Sequence, residues 1–432
     1  MALRHFITVT ALIALVAYFA VYGGLGGAPI KSDGYSYYVY LPSWFIYKDI
    51  SLEALAREWY GGTYPGFTGL RRWPSTGRWM NLHPIGTAIL ETPFFAAGDA
   101  LSWWSNFPRD GFSLYYQHAA GFSGLAYFVA GLAVLRRILT HRFSTGVVLA
   151  TLVCITWGTN LFHYGVFDGT FSHAFAFFEI CLWLWIVEAW WRPAGATGLR
   201  TIALGLAAGV IALTRHTNVI FLGVLPLFGV SSWRDVPLRL EALWQRRGAV
   251  VLAGVTAALT LAPQLALYHR TTGSWLVNAY VTHAASVGFR FGSPHVVEVL
   301  FSTQKGLFFW SPILLLAVAG LFLRSEPARD FRVAAIVLLA AQIYLTASWS
   351  EWQFGASYGH RAFTDGLGLT APFLAAVFER VADRPMARGL VAIASAAAVL
   401  LSIVQMIQYW IGILPFANTT WAQYRALFLR FQ

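Results

Sequence analysis

Apolar runs close to the length of a membrane-crossing helix, roughly 20 residues, recur from one end of this chain to the other. About eleven stand out between polar breaks, near 6–24, 111–135, 143–161, 170–190, 200–215, 217–232, 249–268, 307–323, 333–349, 366–380 and 389–412. The fifth and sixth are short, and the polar stretch ALTRHTN at 212–218 predicts a tilt or a break there. The pattern predicts an all-α fold, a polytopic membrane bundle of about 11 transmembrane helices in one membrane domain over 1–432. Two segments fall outside it, a long loop at 25–110 and a short tail at 413–432. Within the loop, LPSWFIYKDISLEALAREWY and PIGTAILETPFFAAGDALSWW are amphipathic and aromatic, as helices lying in the membrane interface are. Between them, GGTYPGFTGLRRWPSTGRWMN is rich in Gly, Pro and Arg and predicts a mobile loop able to close over a ligand.

Loop charge supplies an orientation. With the N-terminus in the cytoplasm, RRILTHR, RPAGATGLR, RDVPLRLEALWQRR, RSEPARDFR and ERVADRPMAR all fall inside, and each is short and basic. The opposite face then carries 25–110, FHYGVFDG, 269–306, 350–365 and the tail. All of the 11 histidines except His5 and His141 lie on or near that outer side. The polar chemistry is therefore expected to face outward.

Composition agrees with the membrane reading. Only 11% of residues are charged, where soluble domains carry roughly 25%. The net charge of +11 is almost all arginine, lysine occurring only at 31, 48 and 305. It reads as topology and anionic headgroups; no basic-aromatic module for nucleic acid is present. Cys154 and Cys181 lie in apolar runs and give neither a disulfide framework nor zinc spacing. The first apolar run lacks a small-residue cleavage site and is read as a retained signal anchor.

Polar clusters gather on the outer side. Asp33 stands in KSDGYSYYVYLPS with Gly34, Tyr35, Tyr37 and Tyr38. A carboxylate at the mouth of a span is costly unless it is solvated, paired or used. Asp168 stands in FHYGVFDGTFSH between His163 and His173, and Arg215-His216 falls in the fifth–sixth break. WSEWQFGASYGHRAFTDG carries Glu351, His360, Arg361 and Asp365, and STQKGLFFWSP carries Lys305. Plainer readings stand beside each: Asp33 as a solvated helix end, Asp168-Gly169 as a turn pair, His173 as an interfacial histidine, His83 as a helix start before Pro84.

The layout resembles the GT-C superfamily of membrane glycosyltransferases, and is similar to protein mannosyltransferases and lipid A aminoarabinose transferases. Those enzymes place an acidic residue after the first span, a long outer loop with interfacial helices, and a second acid after the third span. Asp33 and Asp168 match those two places. NLHPIGTAILETPFF resembles the proline-containing approach to the interfacial helix, and SYGHRAFTDGLGLTAPFL the glycine-arginine stretch before a late span. The paired acid usual after the first one is absent, Gly34 following Asp33.

The resemblance implies an extracytoplasmic transfer of one sugar from a polyprenyl-phosphate donor to a glycolipid, polysaccharide or protein, at the outer face of a bacterial inner membrane. A phosphate leaving group needs charge stabilisation more than a proton donor, and one carboxylate suffices to accept the acceptor's proton. Asp33 is expected as that base and Asp168 as the second catalytic acid, orienting the acceptor. Arg361, Arg215 and Lys305 are expected on the donor phosphate, with Tyr35, His83, His173 and His360 lining the pocket. A divalent metal at Asp168 and His173 stays open, since their spacing is not diagnostic. A lipid-pyrophosphate polymerase or ligase would carry its large loop late, and a transporter would show repeat symmetry and polar residues deep in several spans. Neither pattern is found.

Overall fold

The computed structural model describes residues 2–60, 69–282 and 287–431. The chain is a helical bundle with one short hairpin. Among the described residues, six helices are long and apolar enough to cross a membrane: Ala2–Val21, Leu114–Thr140, Ser172–Trp191, Arg247–Thr272, Arg329–Ser348 and Pro385–Trp410. Helices also form in the other five predicted runs, but they are shorter. Thr145–Trp157 has 13 residues and Leu314–Leu321 only 8. At 1.5 Å per residue neither covers a hydrocarbon core of about 30 Å by itself. The run at 307–323 is cut by Pro312, which separates Leu307–Trp310 from Leu314–Leu321.

The break predicted within ALTRHTN is real. The Gly198–Thr214 helix ends at Arg215, whose backbone is extended (φ −149°, ψ 115°). The chain resumes as a 3₁₀ helix, His216–Gly223, whose rise of about 2.0 Å per residue gains reach.

Charged residues collect at two poles. At one, Arg142 bridges Glu188 (3.2 Å) and Asp330 (3.0 Å), Arg192 also meets Glu188 (3.3 Å), and Arg246 donates to the Trp190 carbonyl (2.8 Å). These ties lock the ends of several helices together. The other pole carries the candidate site.

The long loop folds as a cap over that second pole. It contributes the helices Asp33–Tyr38, Tyr40–Phe45, Glu53–Tyr60 and Gly86–Trp104. The first expected interfacial helix is thus split, because Asp49 accepts from the amides of Ser51 and Ala54 (both 2.8 Å) and turns the chain. Tyr38, Leu41, Leu55, Phe95 and Tyr116 bury together as the cap's own core.

Of the predicted mobile loop, 61–68 lies outside the described residues. The remainder includes a short hairpin. Leu70–Arg72 pairs antiparallel with Trp79–Asn81, with Gly77 supplying a positive φ in the connection. Leu70, Trp79 and Met80 are buried, and Thr76 donates to the Thr271 carbonyl (2.6 Å) at the end of the Arg247–Thr272 helix.

Candidate active site

Asp33 opens the Asp33–Tyr38 helix directly after Ser32, whose φ of 48° is strained for a side-chain-bearing residue. The twist turns two neighbouring charges into the protein, Lys31 toward Asp168 and Asp33 toward Arg361. Arg361 Nη1 lies 2.8 Å from Asp33 Oδ2, and Asp33 keeps 29% of its side chain exposed. Burial opposes the Asp33 charge, but Arg361, with His83 and His173, outweighs it and holds the carboxyl below the ordinary carboxylate value.

Gly34 explains the missing second acid. A Cβ there would lie 2.3 Å from Thr170 Oγ1, so the helix carrying Asp33 packs directly against the Asp168 loop. No side chain fits at that contact.

The same helix presents Ser36 and Tyr37 to the site. Ser36 Oγ donates to the Asp33 carbonyl (2.8 Å) and lies 2.6 Å from His83 Nδ1. With its one proton spent on the carbonyl, the hydroxyl accepts from His83 Nδ1–H, which leaves Nε2 as the ring's acceptor. Burial, with Arg361 and Arg215 against the pull of Asp33, pushes His83 down to about 4. Tyr37 stacks on His83 (4.4 Å between ring centres) and its hydroxyl accepts from Ser172 (3.1 Å). Tyr35, expected in the pocket, instead packs toward the cap core near Phe112. Helical spacing sends residues 33, 36 and 37 one way and 35 and 38 the other.

Asp168 is fully engaged. Lys31 Nζ lies 3.1 Å from Oδ1 and His163 Nε2 donates to Oδ2 (2.8 Å). The indole of Trp410 donates to His163 Nδ1 (2.8 Å). An indole N–H can only donate, so His163 is the neutral Nε2–H tautomer. Burial opposes the Asp168 charge, and His163 and Lys31 outweigh it, holding this carboxyl far below the ordinary range. Lys31 also lies over the Phe167 ring (3.7 Å). The turn reading holds as well, since the Phe171 amide donates to the Asp168 carbonyl (2.9 Å).

A third cluster centres on Asp365, which is wholly buried. Its carboxylate accepts from His173 Nδ1 (2.9 Å) and Asn218 Nδ2 (2.9 Å), and Arg215 Nε stands 3.0 Å away as an ion-pair partner. Arg215 also reaches Ser172 Oγ (3.3 Å), which links it to Tyr37. Asp168 and His173, the candidate metal pair, thus serve different partners. Among the described residues, no group of three or more His, Cys, Asp or Glu is placed to hold a metal. A lysine ammonium already stands on Asp168, so these donors do not fit a divalent ion.

Lys305 lies at the edge of the site, 2% exposed. Its ammonium donates to the carbonyls of Ser357 and Phe416, and thereby ties the C-terminal tail to the loop before Arg361. Burial, with Arg361 nearby, pushes it down to about 7. His360 sits edge-on between Phe354 (5.8 Å) and Phe363 (4.8 Å), pushed down to about 3 by burial and the Lys305 and Arg361 charges.

The structure thus brings Asp33, Arg361, Arg215, His83, His173 and Asp168 to one pole. Sequence reading gave Lys31, Asn218, Ser36 and Trp410 no role. Lys31 had one usable signal, a rare lysine two residues from Asp33; the other three are recognisable only from their contacts.

No protein-family model and no curated protein matches the chain. Solved structures do match in fold. An oligosaccharyltransferase of Archaeoglobus fulgidus, in complex with Zn and sulfate, aligns over 96% of this chain and 53% of its own at 12% identity, with a TM-score of 0.50. The oligosaccharyltransferase AglB of Archaeoglobus fulgidus, in complex with an inhibitory peptide and a dolichol-phosphate, aligns over 96% and 56% at 10% identity, again with a TM-score of 0.50. This chain therefore spans about half the length of those proteins. The likeness is one of fold, and it agrees with the GT-C-like membrane architecture expected from the sequence.

Proposed function

We propose that this chain is a membrane glycosyltransferase that moves a single sugar from a polyprenyl-phosphate donor to an acceptor hydroxyl outside the cytoplasm, with inversion. The observation that carries the reading is the Asp33–Arg361 pair, a partly open carboxylate 2.8 Å from a guanidinium at the charged pole of a membrane bundle. The fold it shares with a glycosyltransferase, one of whose structures holds a dolichol-phosphate, supports a lipid-linked donor.

In this mechanism the acceptor oxygen attacks the anomeric carbon. Its proton passes to Asp33 as the bond from that carbon to the phosphate oxygen breaks, and the polyprenyl phosphate leaves as an anion. Arg361 and Arg215 stabilise that charge, with Lys305 at the edge of the site. Asp33 is a weak base while Arg361 holds it. A donor phosphate competing for Arg361 loosens the pair, so the base strengthens when the donor binds. Asp168 serves the site through Lys31, which it fixes at the same pole.

The test is a transfer assay on purified protein, with radiolabelled sugars on short-chain polyprenyl phosphates and an envelope extract as acceptor. Wild type should move label and Asp33→Asn should not, while remaining folded. Absence of transfer from every monophosphate donor by folded wild type would overturn the reading, and a lipid-pyrophosphate donor or a transport function would take its place.

A further inference from the structure

A row of aromatic rings leaves the candidate site and takes no part in the chemistry above. It begins at Tyr280, in the turn Ala279–Thr282. Burial pushes the Tyr280 phenol up, Asp33 pushes it the same way, and Arg215 and Arg361 pull against them. The ring therefore stands within reach of the charges around the Asp33–Arg361 pair. From there Tyr280 meets Trp349 edge-on (5.2 Å between ring centres), and Trp349 meets Phe289 (5.0 Å). Phe289 lies parallel to Phe291 (5.2 Å, 3° between planes), and Phe291 stacks on Tyr344 (5.9 Å).

Hydrogen bonds fix the register of the row. Phe289 forms an antiparallel bridge with Trp349. The Arg290 amide donates to the Ser348 carbonyl (2.6 Å), the Ser350 amide to the Gly288 carbonyl (3.0 Å) and the Gly288 amide to the Ser350 hydroxyl (3.1 Å). The Tyr344 hydroxyl donates to the Phe291 carbonyl (2.9 Å). The rings so held are nevertheless open, Phe289 being 44%, Phe291 50% and Tyr344 44% exposed. A contiguous exposed apolar surface marks a place where something binds.

The chemistry of the row says what would cover it. It carries no net charge: Arg290 stands between the two phenylalanines, and Glu351, whose charge acts on Tyr280, has the opposite sign. An extended peptide needs a strand edge to pair with. Here the bridge is one residue pair, and the chain turns at once, the Ser293 amide donating to the Arg290 carbonyl (3.1 Å). A pyranose sugar fits better. One side of its ring is a sheet of C–H groups, which an electron-rich aromatic ring attracts, while its hydroxyls stay free for water and polar neighbours. Ring centres 5.0–5.9 Å apart are spaced much as pyranose units are along an extended chain.

We infer that the row is the acceptor site, and that the acceptor is a neutral glycan of several pyranose units. Its end lies at Tyr280 and presents a hydroxyl to Asp33, while the units behind it rest along Trp349, Phe289, Phe291 and Tyr344. The inference rests on the proposed function for the reaction, and on the row for the class of acceptor.

The experiment uses the full-length protein in nanodiscs and saturation-transfer NMR. The probes are linear gluco-, manno- and galacto-oligosaccharides, each as a series from mono- to hexasaccharide, with a serine- and threonine-rich peptide beside them. At least one sugar series is expected to bind, more tightly as the chain lengthens. Phe289→Ala with Phe291→Ala should weaken the hexasaccharide about tenfold, a loss of about 1.4 kcal/mol, with the unfolding temperature near that of wild type because both rings are largely exposed. Phe289→Tyr with Phe291→Tyr keeps the aromatic surface and should bind as wild type. In the transfer assay the alanine pair should raise KM for the glycan and leave KM for the lipid donor as it was. No binding by any series, affinity that does not grow with length, equal binding by wild type and the alanine pair, or binding of the peptide alone would overturn the site. An alanine pair that binds glycans as wild type does but unfolds earlier in the bilayer would make the row a membrane anchor instead. Length-dependent binding, lost in the alanine pair of a protein that transfers no sugar, would uphold the glycan site and sink the transferase reading. Sugar transfer that the alanine pair leaves unchanged would do the reverse.

Discussion

Arg361 Nη1 sits 2.8 Å from Asp33 Oδ2, joining the segment after the first long helix to one that precedes a late helix. Neither residue is near the other in sequence, so the pair exists only when the cap has closed on the bundle. Asp33→Asn keeps the shape and removes the proposed base; transfer should fall about 10²–10⁴-fold with the unfolding temperature nearly unchanged. Arg361→Gln should fall by about 10²–10³-fold.

The pH profile separates the two roles of Arg361. Its charge lowers Asp33, so the wild-type acid limb should lie below the ordinary aspartate value of about 3.9. In Arg361→Gln burial acts unopposed by that cation, and the acid limb should move up. A limb that stays put in this variant would remove Asp33 from the base role.

Lys31, Asp168, His163 and Trp410 form a second chain of contacts in which each group sets the next. A double-mutant cycle of Lys31→Met and Asp168→Asn should show a coupling of about 0.5–3 kcal/mol in thermal stability. The lower half is expected, because Lys31 is 35% exposed and screened by solvent. With that ammonium standing on the carboxylate, chelator should leave transfer unchanged, while Lys31→Met should lower it. Loss of activity with chelator, restored by a divalent cation, would show that a metal displaces Lys31.

How much of this was legible follows from the physics of each feature. Membrane helices announce themselves through uninterrupted apolar length, so six of the expected spans are matched by helices long enough to cross a membrane among the described residues, and the break at Arg215 was legible too. Span length was overcounted, because an apolar run does not reveal that Pro312 will divide it or that a helix will stop at 13 residues. Asp33, Asp168 and Arg361 were legible as charges in places where charge is costly. Their pairing was not: Asp168 with Lys31 and His173 with Asp365 come from contacts between distant elements. Tyr35 and Tyr37 were indistinguishable as letters; only the helical phase of Asp33–Tyr38 sends one to the cap and the other to Ser172.

Asp365 is buried with one cation and two further donors, so removing its cation should be expensive. Arg215→Met leaves the carboxylate with His173 and Asn218 alone and should cost about 3–5 kcal/mol. Arg215→Met combined with Asp365→Leu removes both charges and should recover much of that stability. Transfer should stay low in the double variant, because the proposed function also puts Arg215 on the donor phosphate. Recovery of activity together with stability would make the cluster purely structural.

Lys305 offers a test in the alkaline range. Its folded value is pushed down to about 7 by burial and by Arg361, while an unfolded lysine titrates at about 10.4. Below about 7 both states carry the proton, and the folded state bears the full cost of a buried charge. Between about 7 and 10.4 the unfolded chain binds more protons than the folded one, so stability should rise with pH across that window. Lys305→Met should remove the rise, since it has no proton to lose, and should also free the tail by losing the donors to Ser357 and Phe416. Thermal unfolding in detergent from pH 6 to 10, wild type against Lys305→Met, reads this directly. A wild-type slope no steeper than the variant's would mean that the two carbonyls hold Lys305 charged throughout. The residue would then remain a cation beside Arg361 at every pH at which the protein works.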